Sequence, residues 1–188
     1  GIAQTYASAG FDVLATGGYA GLQQYLGNYK LVGTASNRFL NERLGVIATL
    51  NADRYNRSAD KLGINWTADD INPLTGQREP RFNSFNLREE TVFRGRLGGS
   101  LLLDYNIPNG RLQGNIFYNE LRDDVFVRRY APSVGSLDAS VEEYDTRTAI
   151  LTSGLGIEQD RGRFKYDAQA FYTISRRRAP HTYIWERG

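Results

Sequence analysis

The chain has 188 residues and 21.2 kDa, enough for one sizeable hydrophobic core. Its net charge of +2 leaves no electrostatic footprint for nucleic acid. It holds no cysteine for disulfides, thiolate metal sites or thiol nucleophiles, and His181 alone cannot furnish a His-rich zinc site. A hydrophobic fraction of 40%, with no run near the roughly 18 apolar residues of a membrane helix, excludes both disorder and a helical membrane protein.

Taken in chain order, the periodicity is two almost everywhere. Strands are expected over 11–21 and 25–37, and 25–36 alternates with smaller residues. In 43–57, Leu44, Val46, Ala48, Leu50 and Ala52 oppose Thr49, Asn51 and Asp53. In 84–107, Phe93, Leu97, Leu101, Leu103, Tyr105 and Ile107 oppose Arg94, Arg96, Ser100 and Asp104, with Leu102 as the exception. Strands are expected over 110–128 and 143–159, within which 112–119 and, with smaller residues, 147–158 follow the same rule. In 162–178, Phe164, Tyr166, Ala168, Ala170, Tyr172 and Ile174 oppose Lys165, Asp167, Gln169 and Thr173, and Phe171 breaks the pattern. An eighth strand is expected from 181. No segment carries an i, i+3, i+4 stripe with caps, so the expected class is all-β with seven or eight long strands.

The connections order these strands. Pro108-Asn109-Gly110 and Asp160-Arg161-Gly162 are short turns, and 37–43 is a slightly longer one. Long connections are expected over 58–83 and 129–142. Short and long links alternate, as they do in an up-and-down antiparallel barrel of the outer-membrane type. Aromatics at both ends of one apolar face, and charge along the other, favour that barrel over a soluble sandwich. On this reading Leu101, Leu103, Ile116, Leu151, Ala168 and Ala170 face lipid, whereas Arg94, Asp104, Asn115 and Asp167 face a lumen.

The stretch Gly27-Asn28-Tyr29-Lys30-Leu31-Val32-Gly33-Thr34-Ala35-Ser36-Asn37-Arg38-Phe39, then Asn41-Glu42-Arg43-Leu44-Gly45-Val46 and Ala52-Asp53-Arg54-Tyr55-Asn56-Arg57-Ser58, resembles the first barrel strands of TonB-dependent outer-membrane receptors. So does the later stretch from Leu155-Gly156-Ile157-Glu158 through Gly162-Arg163-Phe164-Lys165-Tyr166 to Phe171-Tyr172-Thr173-Ile174-Ser175-Arg176-Arg177. The likeness covers most of the chain from about Gly10. It implies an open segment of a barrel of about 22 strands, with a plug domain in the lumen and a plug segment that contacts TonB. Residues 1–10 would then be the end of the plug or a linker, and 11–188 an incomplete barrel segment. Met is absent even at position 1, which fits a processed or excised piece.

Candidate ligand-binding residues lie on the expected loop side. Trp66 can stack a ring, and Arg128, Arg129, Arg176, Arg177 and Arg178 can grip an anionic ligand or lipopolysaccharide phosphate in bidentate fashion. The bland alternative for these arginines is a solvated rim paired with Glu142, Glu143 and Glu186. His181, Tyr183 and Trp185 share one parity and read as interfacial girdle. Asp69-Asp70-Ile71-Asn72-Pro73-Leu74-Thr75-Gly76 clusters oxygens that suit Ca²⁺, against the alternative of an ordinary Asx-rich loop. Asp123-Asp124 and Glu89-Glu90 point to opposite faces of their strands, so neither pair can flank one bond, and no enzyme chemistry is expected. No phosphate- or dinucleotide-binding motif is present, and no cofactor or resident metal is expected.

The expected function is barrel wall in a receptor for energised uptake of a siderophore, cobalamin or glycan. Its expected partners are outer-membrane lipid and lipopolysaccharide, the rest of the barrel and plug, and TonB through the plug, with no nucleic acid. Two alternatives stand beside it: a small self-contained outer-membrane structural or adhesion barrel, and a soluble β-sheet carbohydrate-binding module.

Overall fold

A computed structural model describes residues 9–67, 71–133 and 135–187. The chain is all-β. Its strands are β1 (Gly10–Ala20), β2 (Tyr25–Phe39), β3 (Leu44–Asn56), β4 (Ala59–Thr67), β5 (Arg81–Ile107), β6 (Gly110–Ser133), β7 (Ser136–Arg161) and β8 (Phe164–Arg187). They form one up-and-down antiparallel sheet in the order β1-β2-β3-β5-β6-β7-β8, with β4 also paired to β5. The order does not return from β8 to β1, so the sheet has two edge strands. Most of the expected plug tail, 1–10, lies outside the described residues.

Three expected boundaries move, each for a physical reason. The connection expected over 58–83 contains β4, whose Leu62, Ile64 and Trp66 alternate with Lys61, Gly63 and Asn65 and pair across to β5 from Ala59↔Glu90 to Thr67↔Arg81. Only Arg57 and Ser58 separate it from β3, and both are tied to β5: Arg57 N–H donates to the Val92 carbonyl (2.7 Å) and Val92 N–H donates to Ser58 Oγ (3.0 Å). The connection expected over 129–142 is the extension of β6 and β7 to a turn at Gly135, which takes φ 91°. The strand expected to start at 181 is the end of β8, which runs straight through Pro180. Proline has no N–H to give a ladder, but an edge strand turns every second N–H away from its sheet, so β8 can continue there.

Contacts divide the chain into two compact units. One comprises residues to Tyr55 with Arg94–Arg122 and Arg147–Arg178; the other comprises Asn56–Phe93, Asp123–Thr146 and the residues from Ala179 onward.

In the first unit the two sheet faces differ in kind. β1 pairs β2 from Gly10↔Ser36 to Ala20↔Tyr25, and β2 pairs β3 from Tyr29↔Arg54 to Phe39↔Leu44. On one face Thr34 and Thr49 sit opposite each other with hydroxyls 3.3 Å apart. Ser36 is buried there at 7% exposure, and Arg38 reaches Asp104 at 3.2 Å. A Cβ on Gly98 would lie 2.5 Å from Asn51 Oδ1 and 2.7 Å from Asn119 Oδ1, and one on Gly154 would lie 2.5 Å from Asn115 Oδ1. Glycine at 98 lets Asn51 and Asn119 from neighbouring strands meet over the backbone, and glycine at 154 lets Asn115 meet the Phe171 ring.

The opposite face is apolar and bare. A Cβ on Gly114 would touch Leu155 (3.6 Å) and Leu103 (3.8 Å), which places the three on one side. Leu155 is 73% exposed and Leu50 71%, and Phe11, Val13, Leu31, Leu97, Ile116, Phe164 and Tyr172 are exposed with them. The second unit holds the whole buried apolar set among the described residues, Val127 at 2% and Ala131 at 9%. The chain exposes 13782 Å². A compact monomer of this mass exposes about 9,100 Å².

Candidate functional site

The second unit gathers part of the expected ligand site. Trp66, near the end of β4, pairs across to Phe82 after a bulge that skips Asn83. The rings of Trp66 and Phe82 meet edge to face, with centroids 6.1 Å apart and planes at 84°. Phe82 continues to Phe85 (6.1 Å) and Phe85 to Tyr130 (6.4 Å), so a line of four rings leads from Trp66 to β6. Tyr130 lines a cavity of about 680 Å³, together with Arg128, Arg129, Lys61, Glu89 and Trp185.

Carboxylates set the cations of this cavity. Arg128 pairs with Glu89 at 3.6 Å, an acid not among those read as its partners, and its guanidinium lies 5.1 Å from the Phe126 ring centroid. Glu90 takes Lys61 Nζ on one oxygen (2.8 Å) and Arg88 Nε on the other (2.6 Å). The result is basic groups of fixed position beside exposed rings. Such a site suits a ligand with an anionic group and a flat or apolar body.

Arg128 and Arg129 thus line one cavity, whereas Trp66 does not line it and reaches Tyr130 only through Phe82 and Phe85. Arg176, Arg177 and Arg178 are exposed residues of β8 in the first unit and do not line this cavity. Trp185, read from sequence as girdle, lines it instead. Its parity on β8 was legible, but the neighbours that make it part of a cavity were not.

In the link between β4 and β5, the described residues 71–80 form an ordered turn. Ile71 bridges to Arg78, Gly76 N–H donates to the Asn72 carbonyl (2.8 Å), and Asn72 N–H donates to the Gln77 carbonyl (2.9 Å). Asn72 Oδ1 accepts from Leu74 N–H (2.9 Å), the Asx geometry that Pro73 follows. Asn72 Nδ2 and Thr75 Oγ1 donate to the two oxygens of Glu79 at 2.8 and 2.9 Å. These two hydrogen bonds, Asn72 first and Thr75 second, hold the Glu79 carboxyl below the ordinary glutamate range. Asn72 and Thr75, read as possible Ca²⁺ ligands, are therefore committed to Glu79. Asp69 and Asp70 lie outside the described residues, as does the side chain of His181. Among the described residues no three His, Asp or Glu side chains converge to hold a metal ion.

The first unit carries a second cavity, of about 440 Å³, whose lining takes in residues of both parities, Leu103 and Leu155 as well as Gln113 and Gln169. Leu102 and Phe171, the two residues that break the alternation of their strands, line it with Ile47, beside Asp104, Asn115 and Gln169. The exceptions in the sequence were its signal. Asn115 Oδ1 is buried there and accepts no hydrogen bond. No protein-family model matches the chain, and no curated protein matches it.

Proposed function

We propose that this chain is wall of a TonB-dependent outer-membrane receptor, one of the proteins that take up a scarce ligand such as a siderophore, cobalamin or glycan. The observation that carries the reading is the inverted placement of side chains in the first unit. Leu50, Leu97, Leu103 and Leu155 are exposed, while Ser36, Arg38 and Asp104 are buried or nearly so on the other face. In water that arrangement forfeits the hydrophobic stabilisation of about 25 cal/mol per Å² of apolar surface removed from solvent. Against acyl chains it is the stable one, because the apolar parity meets lipid and the polar parity meets an aqueous or protein-filled lumen.

The receptor assignment rests on the pattern likeness of 27–58 and 155–177, and the two edge strands suit a segment continued by further strands and closed around a plug. The partners are accordingly outer-membrane lipid and lipopolysaccharide, the remaining barrel, the plug, and TonB through the plug. The Arg128–Arg129 cavity and the rings from Trp66 serve as part of the ligand-gathering surface.

The absence of cysteine makes the test direct. Single cysteines at Leu103, Leu155, Gln113 and Gln169 are introduced in native outer membranes and exposed to a charged maleimide. The expected result is fast labelling at Gln113 and Gln169 and protection at Leu103 and Leu155. Equal labelling at all four refutes the wall. The surrounding reading frame tests the receptor: a plug-like domain upstream and a dozen or so further alternating strands support it, and a stop directly after Gly188 favours the small self-contained barrel.

A further inference from the structure

On the outward face of the first unit, one carboxylate organises two guanidiniums. Glu120 lies on the same parity of β6 as Ile116 and Leu112, and Arg147 on the same parity of β7 as Leu151 and Leu155. Glu120 Oε1 takes Arg122 Nε at 2.5 Å and faces Arg147 Nε at 3.7 Å, while Oε2 accepts from the Tyr118 hydroxyl at 2.6 Å. The Glu120 side chain is only 13% exposed beneath them, whereas Arg122 and Arg147 stay 55% and 51% exposed.

The geometry leaves a charge to be met. Each guanidinium engages Glu120 through Nε, which keeps its Nη donors for another acceptor. Glu120, Arg122 and Arg147 carry +1 between them, a sign complementary to a phosphodiester, and Asp124 and Asp145 follow on the same parities two residues farther from the apolar surface. Leu151 lies four residues from Arg147 along β7, about 13 Å of strand, and its exposed apolar surface continues to Leu155. Tyr118, with an apolar ring and a bonded hydroxyl, stands between the two regions, as an interfacial aromatic does. Fixed guanidiniums beside bare apolar surface match an amphiphile better than a free anion.

We propose that Arg122 and Arg147, oriented by Glu120, seat the phosphate of an anionic lipid headgroup whose chains lie along Ile116, Leu151 and Leu155. The proposal rests on the wall reading and names one lipid contact within it.

The test reconstitutes the protein of the whole surrounding reading frame with spin-labelled phosphatidylglycerol or spin-labelled phosphatidylcholine and reads the motionally restricted fraction of each. The expected preference for phosphatidylglycerol is about fivefold, from one net basic charge at the membrane surface. Arg122→Gln with Arg147→Gln is expected to bring the two lipids to parity, and Glu120→Gln to raise the preference. Arg122→Lys with Arg147→Lys keeps the ion pairs and the sheet but not the fork, and is expected to lose at least half of it. Far-UV circular dichroism checks that each variant keeps its sheet.

A preference that survives the double glutamine variant overturns the seat. So does its abolition by inorganic phosphate at matched ionic strength, which makes the occupant a free anion. A restricted component equal for both lipids overturns the seat and leaves the wall. No restricted component for either lipid overturns both.

Discussion

Replacing Ala168 by Arg separates a lipid-facing sheet from a water-facing one. Ala168 is exposed on β8, on the parity that runs from Phe164 to Ile174. Those ten residue steps, at about 3.3 Å each and tilted by about 40°, climb roughly 25 Å, the height of the apolar band of an outer-membrane barrel. Ala168 is four steps from Phe164, so on the wall reading it lies about 10 Å into that band, near its middle. An arginine at such depth costs roughly 2–4 kcal/mol, a loss of about 30- to 900-fold in the folding equilibrium. The same change at an exposed site in water shifts stability by about 0.5 kcal/mol or less. Gln169→Arg is the internal control, since Gln169 lies on the polar face at the 440 Å³ cavity and has water or polar groups around it. The assay is equilibrium unfolding by guanidinium of the protein of the whole surrounding reading frame, reconstituted in phosphatidylcholine vesicles and followed by tryptophan fluorescence. Equal shifts for Ala168→Arg and Gln169→Arg, or a shift below about 0.5 kcal/mol for both, refute the reasoning from parity.

Gly45→Ala drives a Cβ into the Asp104 carboxylate and separates it from Arg38, a mostly buried pair; the expected loss is about 1–3 kcal/mol in urea unfolding, much less than additive with Asp104→Ala. Leu40, Asn41 and Glu42 all take positive φ (55°, 54°, 65°) in the β2–β3 turn, and Leu40 is exposed. Leu40→Gly is therefore expected to stabilise by about 1 kcal/mol, and a destabilisation refutes strain at this turn. Glu79 has a folded pKa below its unfolded value, so the ordering it gives the 71–80 turn is present above the unfolded pKa and is lost as pH falls through the folded one. Carboxyl NMR titration is expected to show a lowered midpoint that returns towards the ordinary glutamate range in Asn72→Ala; an unchanged midpoint refutes the role of the Asn72 bond.

The period-two pattern carried most of the fold, because side-chain parity survives any error in strand ends. What it missed were continuations. β4 escaped notice because its apolar positions Leu62, Ile64 and Trp66 alternate with Lys, Gly and Asn in a stretch otherwise coloured by Asp, Pro and Ser. The strand from 162 was ended at 178 and another begun at 181, because the sequence does not say which strand lies at an edge, where proline is tolerated. The site was legible only in its residue types. Arg128, Arg129 and Trp66 were picked for their chemistry, but Glu89, Tyr130 and Trp185 entered through cross-strand neighbours tens of residues away. Leu102 and Phe171 were recorded as departures from alternation, and the structure turns both into the lining of one cavity.

A native sheet whose buried apolar side chains come down to Val127 and Ala131 among the described residues also constrains how the chain reaches that state. Most small domains fold by hydrophobic collapse, and the collapsed form lies on the way to the native one. Here collapse in water brings together the residues that the finished sheet keeps apart and outward, so the compact form is a trap. On the proposed wall reading, strand pairing and removal of the apolar face from water occur together, at the bilayer surface. Until that moment the chain is expected to be a client for proteins that hold unfolded polypeptides in solution, and folding yield in vitro should depend on the lipid supplied more than on temperature or denaturant.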